Sequence, residues 1–131
     1  MNQIKIFHYC LILFMAFSIS GCSKETSKNK DEQQLEQLYT KIKTLAESSI
    51  CGTTTNYELK FIAIGSKACG GPTGYLAYSS SITVEEFEHF VKRYTALQSN
   101  YNKKWGIVST CDITPLPKAV TCENGKPKLI Y

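Results

Sequence analysis

The cysteines constrain this chain more than any other feature of its sequence. Two of the six, Cys10 and Cys22, lie in the N-terminal 22 residues of the 131-residue chain, and the other four are Cys51, Cys69, Cys111 and Cys122. An even number of cysteines in a small exported domain is typical of disulfide bonds. Three connectivities are possible, and we favour the two that close local loops, Cys51–Cys69 and Cys111–Cys122. In the chain-entropy description each bond contributes about 3 kcal/mol.

The N-terminus carries the features of an export signal. Lys5 supplies a positive charge, and the apolar segment from Tyr9 to Phe17 has the length of a signal-peptide core. A transmembrane helix would need about 20 predominantly apolar residues, and this segment ends at Ser18. We therefore expect residues 1–21 to be a signal peptide that is removed on export.

The end of this signal, Ile19-Ser20-Gly21-Cys22, resembles a bacterial lipobox. The Cys22 thiol is the nucleophile that can accept a diacylglyceryl group. Two or three acyl chains, of the palmitate type, would anchor the protein stably, since each buried methylene contributes about 0.8 kcal/mol. The alternative is an ordinary signal peptide that ends at a cysteine by chance. Ser23 comes next, and by analogy with Gram-negative sorting it favours the outer membrane. We expect a lipoprotein of the bacterial cell envelope, tethered by Cys22 and facing the periplasm.

The length and charge of the exported chain indicate one small domain that does not bind nucleic acid, and the spacing of its cysteines argues against a zinc site. Removal of 21 of the 131 residues leaves 110, enough for one small domain. The net charge is +4, or +3 without Lys5, and the charges are interspersed, so no nucleic-acid partner is expected. Zinc sites place cysteines about two to four residues apart, whereas ten residues separate Cys111 from Cys122. No metal, cofactor or C-x-x-C redox pair is predicted.

The exported chain divides into a polar segment and one domain. Residues 22–33 contain no apolar side chain after Cys22 and predict a lipid anchor followed by a flexible stalk. Residues 34–131 predict a single disulfide-stabilised domain. Apolar residues recur with a helical period from Gln34 to about Ser49. This pattern predicts an N-terminal helix that packs on the domain.

The rest of the domain alternates between strand and helix signals. A capping box at Thr83 and Glu86 predicts the start of a long helix of about five turns. Segments rich in β-branched and aromatic residues predict strands at residues 57–65, 75–79, 105–111, 120–123 and 128–131. The last two flank Asn124-Gly125, a strong hairpin signal. The predicted fold class is α+β: a small antiparallel sheet of four or five strands packed by one long helix, with an N-terminal helix and two disulfides.

Cys69-Gly70-Gly71-Pro72 is the first candidate site. Backbone N–H groups freed by Gly70 and Gly71 could form an anion-binding nest. The structural alternative is a tight corner beside a bridged Cys69, in which the glycines supply positive φ and Pro72 adds stiffness. We favour the corner and keep Gly70, Gly71 and Pro72 as possible binding residues.

Residues 112–121 form the second candidate site, between Cys111 and Cys122. A disulfide-closed, proline-stiffened loop is a common way for protease inhibitors to present a rigid segment, and Lys118 would then be a specificity residue. The structural alternative is a long hairpin connection whose prolines discourage edge-to-edge aggregation.

The exported chain contains few side chains suited to catalysis, because His89 is its one histidine. We therefore expect no enzymatic activity.

Four segments, GSKACGGPTGYLAYS, KKWGIVSTC, PLP and VTCENGK, carry a family resemblance. In this order the chain resembles small uncharacterised lipoproteins of Bacteroidota, which have a CGGP turn, a central helix, a Trp-Gly strand and a C-terminal cysteine hairpin. The resemblance implies a fold and a location and no activity. The function expected is a lipid-anchored, non-enzymatic module that binds a protein or peptide partner. The alternative is an inhibitor of an envelope protease that acts through residues 112–121.

Overall fold

The computed structural model describes residues 23–54 and 56–131. The predicted signal peptide, residues 1–21, and the predicted lipidation site, Cys22, lie outside this range. The elements in chain order are helix α1 (Ser23–Ser48), strands β1 (Leu59–Ile64) and β2 (Gly74–Ser79), helix α2 (Val84–Trp105), and strands β3 (Ala119–Glu123) and β4 (Lys126–Ile130). The predicted α+β class is confirmed. Among the described residues, no helix is both long and apolar enough to cross a bilayer.

The described residues divide into two units, residues 23–32 and Gln33–Tyr131. The described part of the first unit is helical, and Lys28 Nζ lies 3.9 Å from Glu32 Oε1, one turn further along. Helix α1 therefore begins well before Gln34, where the apolar pattern predicted its start. Residues 23–33 contain no Gly or Pro, and their Lys, Glu and Gln residues favour helix without an apolar face. Flexibility of this segment as a stalk stays a prediction.

The hydrophobic core of the second unit lies between α1, α2 and the sheet of β1 and β2. Its buried side chains are Ile42, Ala46, Ile64, Tyr78, Phe87, Val91 and Tyr94. Phe87 and Ile42 are fully enclosed, and the rings of Tyr78 and Phe87 lie 4.7 Å apart. Full burial of an apolar side chain of this size contributes about 1.5–3 kcal/mol. This packing fixes α2 against the β1–β2 sheet.

The strands form two separate antiparallel pairs, so the predicted single sheet of four or five strands is wrong. Strand β1 pairs with β2, and β3 pairs with β4. In the second pair Glu123 is opposite Lys126, and the turn residues Asn124 and Gly125 have φ of 53° and 75°. Positive φ at both central residues is the type I′ hairpin that Asn-Gly favours, so the predicted hairpin is confirmed. Strand β4 lies near β2, yet no ladder joins the two pairs.

The predicted strand at residues 105–111 is also wrong. Trp105 is the last residue of α2, and Gly106 ends the helix in the left-handed conformation, φ 60° and ψ 38°, with its N–H donating to Asn102 O. Residues 107–118 then run without helix or strand structure. The β-branched residues of this segment have high strand propensity, but propensity becomes a strand only where a partner strand lies alongside.

Helix α2 itself begins where the sequence predicted. Thr83 occupies the N-cap position, and its carbonyl oxygen accepts from the Phe87 N–H at 3.0 Å. The Thr83 side chain makes no capping hydrogen bond, so the predicted capping box is not formed. Glu85 and Glu86 in the first turn and Lys103 and Lys104 in the last complement the helix dipole.

Candidate functional site

The Gly-Gly-Pro loop, residues 65–73, connects β1 to β2 and contains the first candidate site. Gly70 and Gly71 have φ of 102° and 82°, a region that L side chains rarely adopt. The Gly70 N–H donates to Lys67 O at 3.1 Å, and the Lys67 N–H donates to Gly71 O at 2.9 Å. Two backbone N–H groups of the loop therefore donate to carbonyl oxygens within the loop itself. The structure places these residues in a tight corner, and a ligand role for Gly70, Gly71 and Pro72 stays a prediction.

The polar side of α2 holds the base of this loop. The Gly65 N–H donates to Thr95 Oγ1 at 3.0 Å, and the Ser66 N–H donates to Gln98 Oε1 at 2.7 Å. Asn102 Nδ2 donates to Ser66 O at 2.8 Å. Three side chains on consecutive turns of α2 therefore satisfy backbone groups where β1 ends. They orient the Gly-Gly-Pro loop relative to the core.

The proline loop, residues 106–118, lies against the Gly-Gly-Pro loop. Lys67 Nζ donates to Asp112 O at 2.7 Å and to Asp112 Oδ2 at 3.1 Å, and the Ala68 N–H donates to Ser109 Oγ at 3.1 Å. At the other end of the contact, Thr114 Oγ1 donates to Pro72 O at 2.7 Å. Hydrogen bonds to backbone at several points hold an irregular segment in one conformation. The two loops form one surface. The sequence alone indicates two separate candidate sites.

The cysteines pair in a different way from the predicted one. Cys51 and Cys122 form a disulfide bond with a Cα–Cα distance of 5.8 Å, although they are separated by 71 positions. The preferred pairs Cys51–Cys69 and Cys111–Cys122 are therefore wrong. Near the bond, the Cys51 N–H donates to Gly125 O at 3.0 Å, so the β3–β4 turn lies beside residue 51. Local loop length could not reveal this tertiary contact.

Cys69 and Cys111 are exposed free thiols at the junction of the two loops. They interact with each other, and the Cys69 thiol also lies 3.6 Å from Ser109 Oγ and 3.5 Å from Thr110 O. The hydrogen bond from Cys111, then that from Ser109, and the Lys67 charge lower the pKa of Cys69. The pKa of Cys111 is raised by its hydrogen bond to Cys69, then by desolvation, and further by the negative charges of Cys69 and Asp112. Cys69 is thus the thiol that ionises first.

Three large apolar side chains of the proline loop lie in solvent. Val108 is 92% exposed, Ile113 is 91% exposed and Leu116 is 66% exposed. Single exposed apolar residues are common on protein surfaces, whereas contiguous apolar patches are typical of interaction sites. Pro117, between Leu116 and β3, is buried and anchors the end of the loop. The sequence signal for this surface was weak, because the pattern of residues 105–111 favoured a strand.

Lys118 lies at the end of the proline loop. Its side chain is exposed, and its backbone N–H donates to Ile130 O at 2.7 Å, which continues the β3–β4 ladder. The residue therefore belongs to the base of the hairpin and does not lie at the tip of a closed loop. His89 is exposed on α2. Within residues 23–54 and 56–131, no three His, Cys, Asp or Glu side chains form a potential metal site.

A groove of about 510 Å³ lies elsewhere in the second unit, between α1, β2 and β4. Tyr75, Leu76 and Leu129 contribute apolar surface to it. Its basic residues have intramolecular partners: Lys43 pairs with Glu47, Lys126 donates to Glu47 O and Ser49 O, and Lys128 pairs with Glu123. The groove arises from the packing of β4 beside α1, which no local sequence pattern encodes.

Comparison of the chain with protein-family models, with curated proteins and with solved structures finds no match. The resemblance to Bacteroidota lipoproteins stays an expectation. The joined loops are therefore the feature of the described chain from which a function can be inferred.

Proposed function

We propose that this protein is a lipid-anchored, non-enzymatic module of the bacterial cell envelope that binds a protein partner through the proline loop. The observation that carries the proposal is the exposure of Val108, Ile113 and Leu116 on one irregular segment. Burial of one such side chain is worth about 1.5–3 kcal/mol. Burial of all three would therefore contribute to the driving force for association, against its entropic cost.

The hydrogen bonds that hold the backbone on both sides of Ile113 favour a binding role for these exposed side chains. Asp112 is bonded to Lys67, and Thr114 to Pro72 O, so both neighbours of Ile113 are attached to the Gly-Gly-Pro loop. A loop that is already ordered loses less conformational entropy when a partner binds. The surface is thus preorganised for recognition.

The tether is the second half of the proposal. Acyl chains on Cys22 would hold the domain at a membrane, and residues 22–33 would separate it from the lipid surface. Replacement of Cys22 by Ser should abolish incorporation of labelled palmitate and should move the protein out of the membrane fraction. Retention of label in the Cys22→Ser variant would contradict lipidation at this residue.

Site-specific photocrosslinking tests the binding surface. A benzophenone amino acid is placed at position 113 of the full chain in its native cell envelope, and at Tyr57 as the control, because Tyr57 is an exposed aromatic residue, 41% exposed, outside the two loops. We expect a discrete protein adduct from position 113 and a much weaker one from position 57. A Leu116→Ser replacement should decrease the adduct from position 113. Equal adducts at both positions, or adducts with lipid alone, would contradict the proposal.

Inhibition of an envelope protease through residues 112–121 stays an alternative prediction. This alternative assumes a Cys111–Cys122 bond that closes the loop, whereas Cys122 is bonded to Cys51 and Lys118 begins the hairpin ladder. Under this alternative Lys118→Ala would abolish inhibition of the envelope protease. Under the proposed function the same variant retains the crosslink from position 113.

A further inference from the structure

Two exposed cysteines lie where the Gly-Gly-Pro loop and the proline loop join. Cys69 comes from the Gly-Gly-Pro loop and Cys111 from the proline loop, and both are exposed free thiols. They are far apart in sequence, but Cys69 Sγ lies 3.6 Å from Ser109 Oγ and 3.5 Å from Thr110 O, so it lies beside the segment that leads directly into Cys111. Their surroundings differ from those of Cys51 and Cys122, which are already bonded to each other. An exposed, interacting thiol pair is a chemical site that the binding function does not use.

The surroundings of the two thiols are unequal. Hydrogen bonds from Cys111 and from Ser109, whose Oγ lies 3.6 Å from Cys69 Sγ, lower the pKa of Cys69. Asp112 directly follows Cys111, and its carboxylate disfavours a second negative charge there. The thiolate is the form of cysteine that attacks a disulfide. The geometry thus distinguishes an attacking thiol from a resolving one.

We propose that Cys69 and Cys111 form a thiol–disulfide exchange site, in which Cys69 attacks an external disulfide and Cys111 completes the exchange. This site is separate from the apolar side chains of the proposed binding surface and does not depend on them.

The exchange proceeds in two balanced steps. The Cys69 thiolate attacks one sulfur of the external disulfide, a mixed disulfide forms, and the other sulfur leaves as a thiolate that takes up a proton. The Cys111 thiol then loses its proton and attacks Cys69 Sγ, so the Cys69–Cys111 bond forms and the second external thiolate leaves. Two cysteines are oxidised and one external disulfide is reduced to two thiols. The new bond joins the Gly-Gly-Pro loop to the proline loop.

Oxidised glutathione is the probe for this site in the full-length protein purified in detergent. After brief exposure and acid quenching, peptide mass mapping should show the Cys69–Cys111 crosslink in the wild type, with Cys51–Cys122 unchanged. In Cys111→Ser the glutathione adduct should accumulate on Cys69. In the matched variant Cys69→Ser the adduct on Cys111 should form several-fold more slowly.

A second measurement uses only the wild-type protein, so its result does not depend on whether the variants fold. In the wild-type protein, treated with a reductant mild enough to spare Cys51–Cys122, iodoacetamide should alkylate Cys69 faster than Cys111. Equal adduct formation in the two variants, faster alkylation of Cys111, or a wild type that forms no Cys69–Cys111 crosslink would overturn the proposal. Loss of the photocrosslink at position 113 would leave these readouts unchanged, so the two proposals fail independently.

Discussion

Cys51 and Cys122 are bonded across 71 positions of the chain, with their Cα atoms 5.8 Å apart. Cys51 follows α1, and Cys122 lies in β3, so the bond ties the C-terminal hairpin to the segment that leads into the first sheet. The hairpin turn is held at the same place by the Cys51 N–H, which donates to Gly125 O. This crosslink fixes the end of the proline loop.

Removal of this bond should cost much of the stability of the domain. For a closed loop of this length the chain-entropy model gives about 4 kcal/mol, so Cys51→Ala/Cys122→Ala should unfold at much lower urea concentration than the wild type. The matched control, compared with a wild type in which Cys69 and Cys111 are kept as thiols, is Cys69→Ser/Cys111→Ser, which removes two exposed thiols and should change the free energy of unfolding by less than about 1 kcal/mol. Equal losses in the two double variants would contradict the assigned roles.

Replacement of Gly65 by Ala should destabilise the base of the Gly-Gly-Pro loop. Its φ is 79°, and an added Cβ would overlap Thr73 Oγ1 and lie 2.6 Å from Gln98 Oε1. We expect a loss of about 2–4 kcal/mol in thermal or urea unfolding.

Gly71→Ala is the control for this effect. Its φ is 82°, but no atom lies within 4 Å of an added Cβ, so only the backbone strain of about 1–2 kcal/mol applies. If Gly71→Ala proved the more damaging change, the close packing around Gly65 would be contradicted.

Tyr78 should make the stability of the domain fall at alkaline pH. Its hydroxyl donates to Glu88 Oε1 at 2.8 Å, and burial, followed by this bond, raises its pKa far above the usual 10. The folded state therefore holds the proton more tightly than the unfolded state. The stabilisation is complete below about pH 10 and declines as the pH rises further.

Unfolding of the wild type and of Tyr78→Phe in urea at about pH 8 and about pH 11 checks this dependence. The wild type should lose more stability between the two values than the variant. Some dependence should remain in Tyr78→Phe, because burial also raises the pKa of Tyr94. The same slope in both proteins would show that Tyr78 ionises equally in the folded and unfolded states.

Lys126 should stabilise the C-terminal end of α1. Its Nζ donates to Glu47 O at 2.7 Å and to Ser49 O at 3.3 Å, and cations at this end of a helix satisfy its terminal carbonyls. Lys126→Ala should lower the free energy of unfolding by about 1 kcal/mol. Lys128→Ala removes a surface pair with Glu123 and should cost less, as exposed ion pairs usually do. The reverse order in urea unfolding would contradict the capping role.

The elements that the sequence predicted well are those specified by local chemistry. Asn124-Gly125 requires positive φ at two successive residues, and the apolar face of α2 recurs over about five turns. Both signals lie within the element that they describe. The α+β class followed from them.

The features that were predicted wrongly depend on contacts between distant residues. Val108 belongs to a β-branched segment, yet it is 92% exposed because no strand lies beside it. The predicted pairs Cys51–Cys69 and Cys111–Cys122 close the shortest loops, whereas the position of the β3–β4 hairpin beside Cys51 decides the actual pairing. The hydrogen bonds of Lys67 to Asp112, 45 residues later, have no signature in either segment alone. The joined loops could therefore be found only in the folded chain.

A disulfide map is the most direct test that the Gly-Gly-Pro loop and the proline loop form one surface. The map is made on the full-length protein after complete oxidation under native conditions. The structure predicts two crosslinked peptides, one that contains Cys51 with Cys122 and one that contains Cys69 with Cys111. A map with Cys51–Cys69 or Cys111–Cys122 would contradict it, because Cys51 is bonded to Cys122 and Cys69 lies beside residues 109 and 110 in the structure.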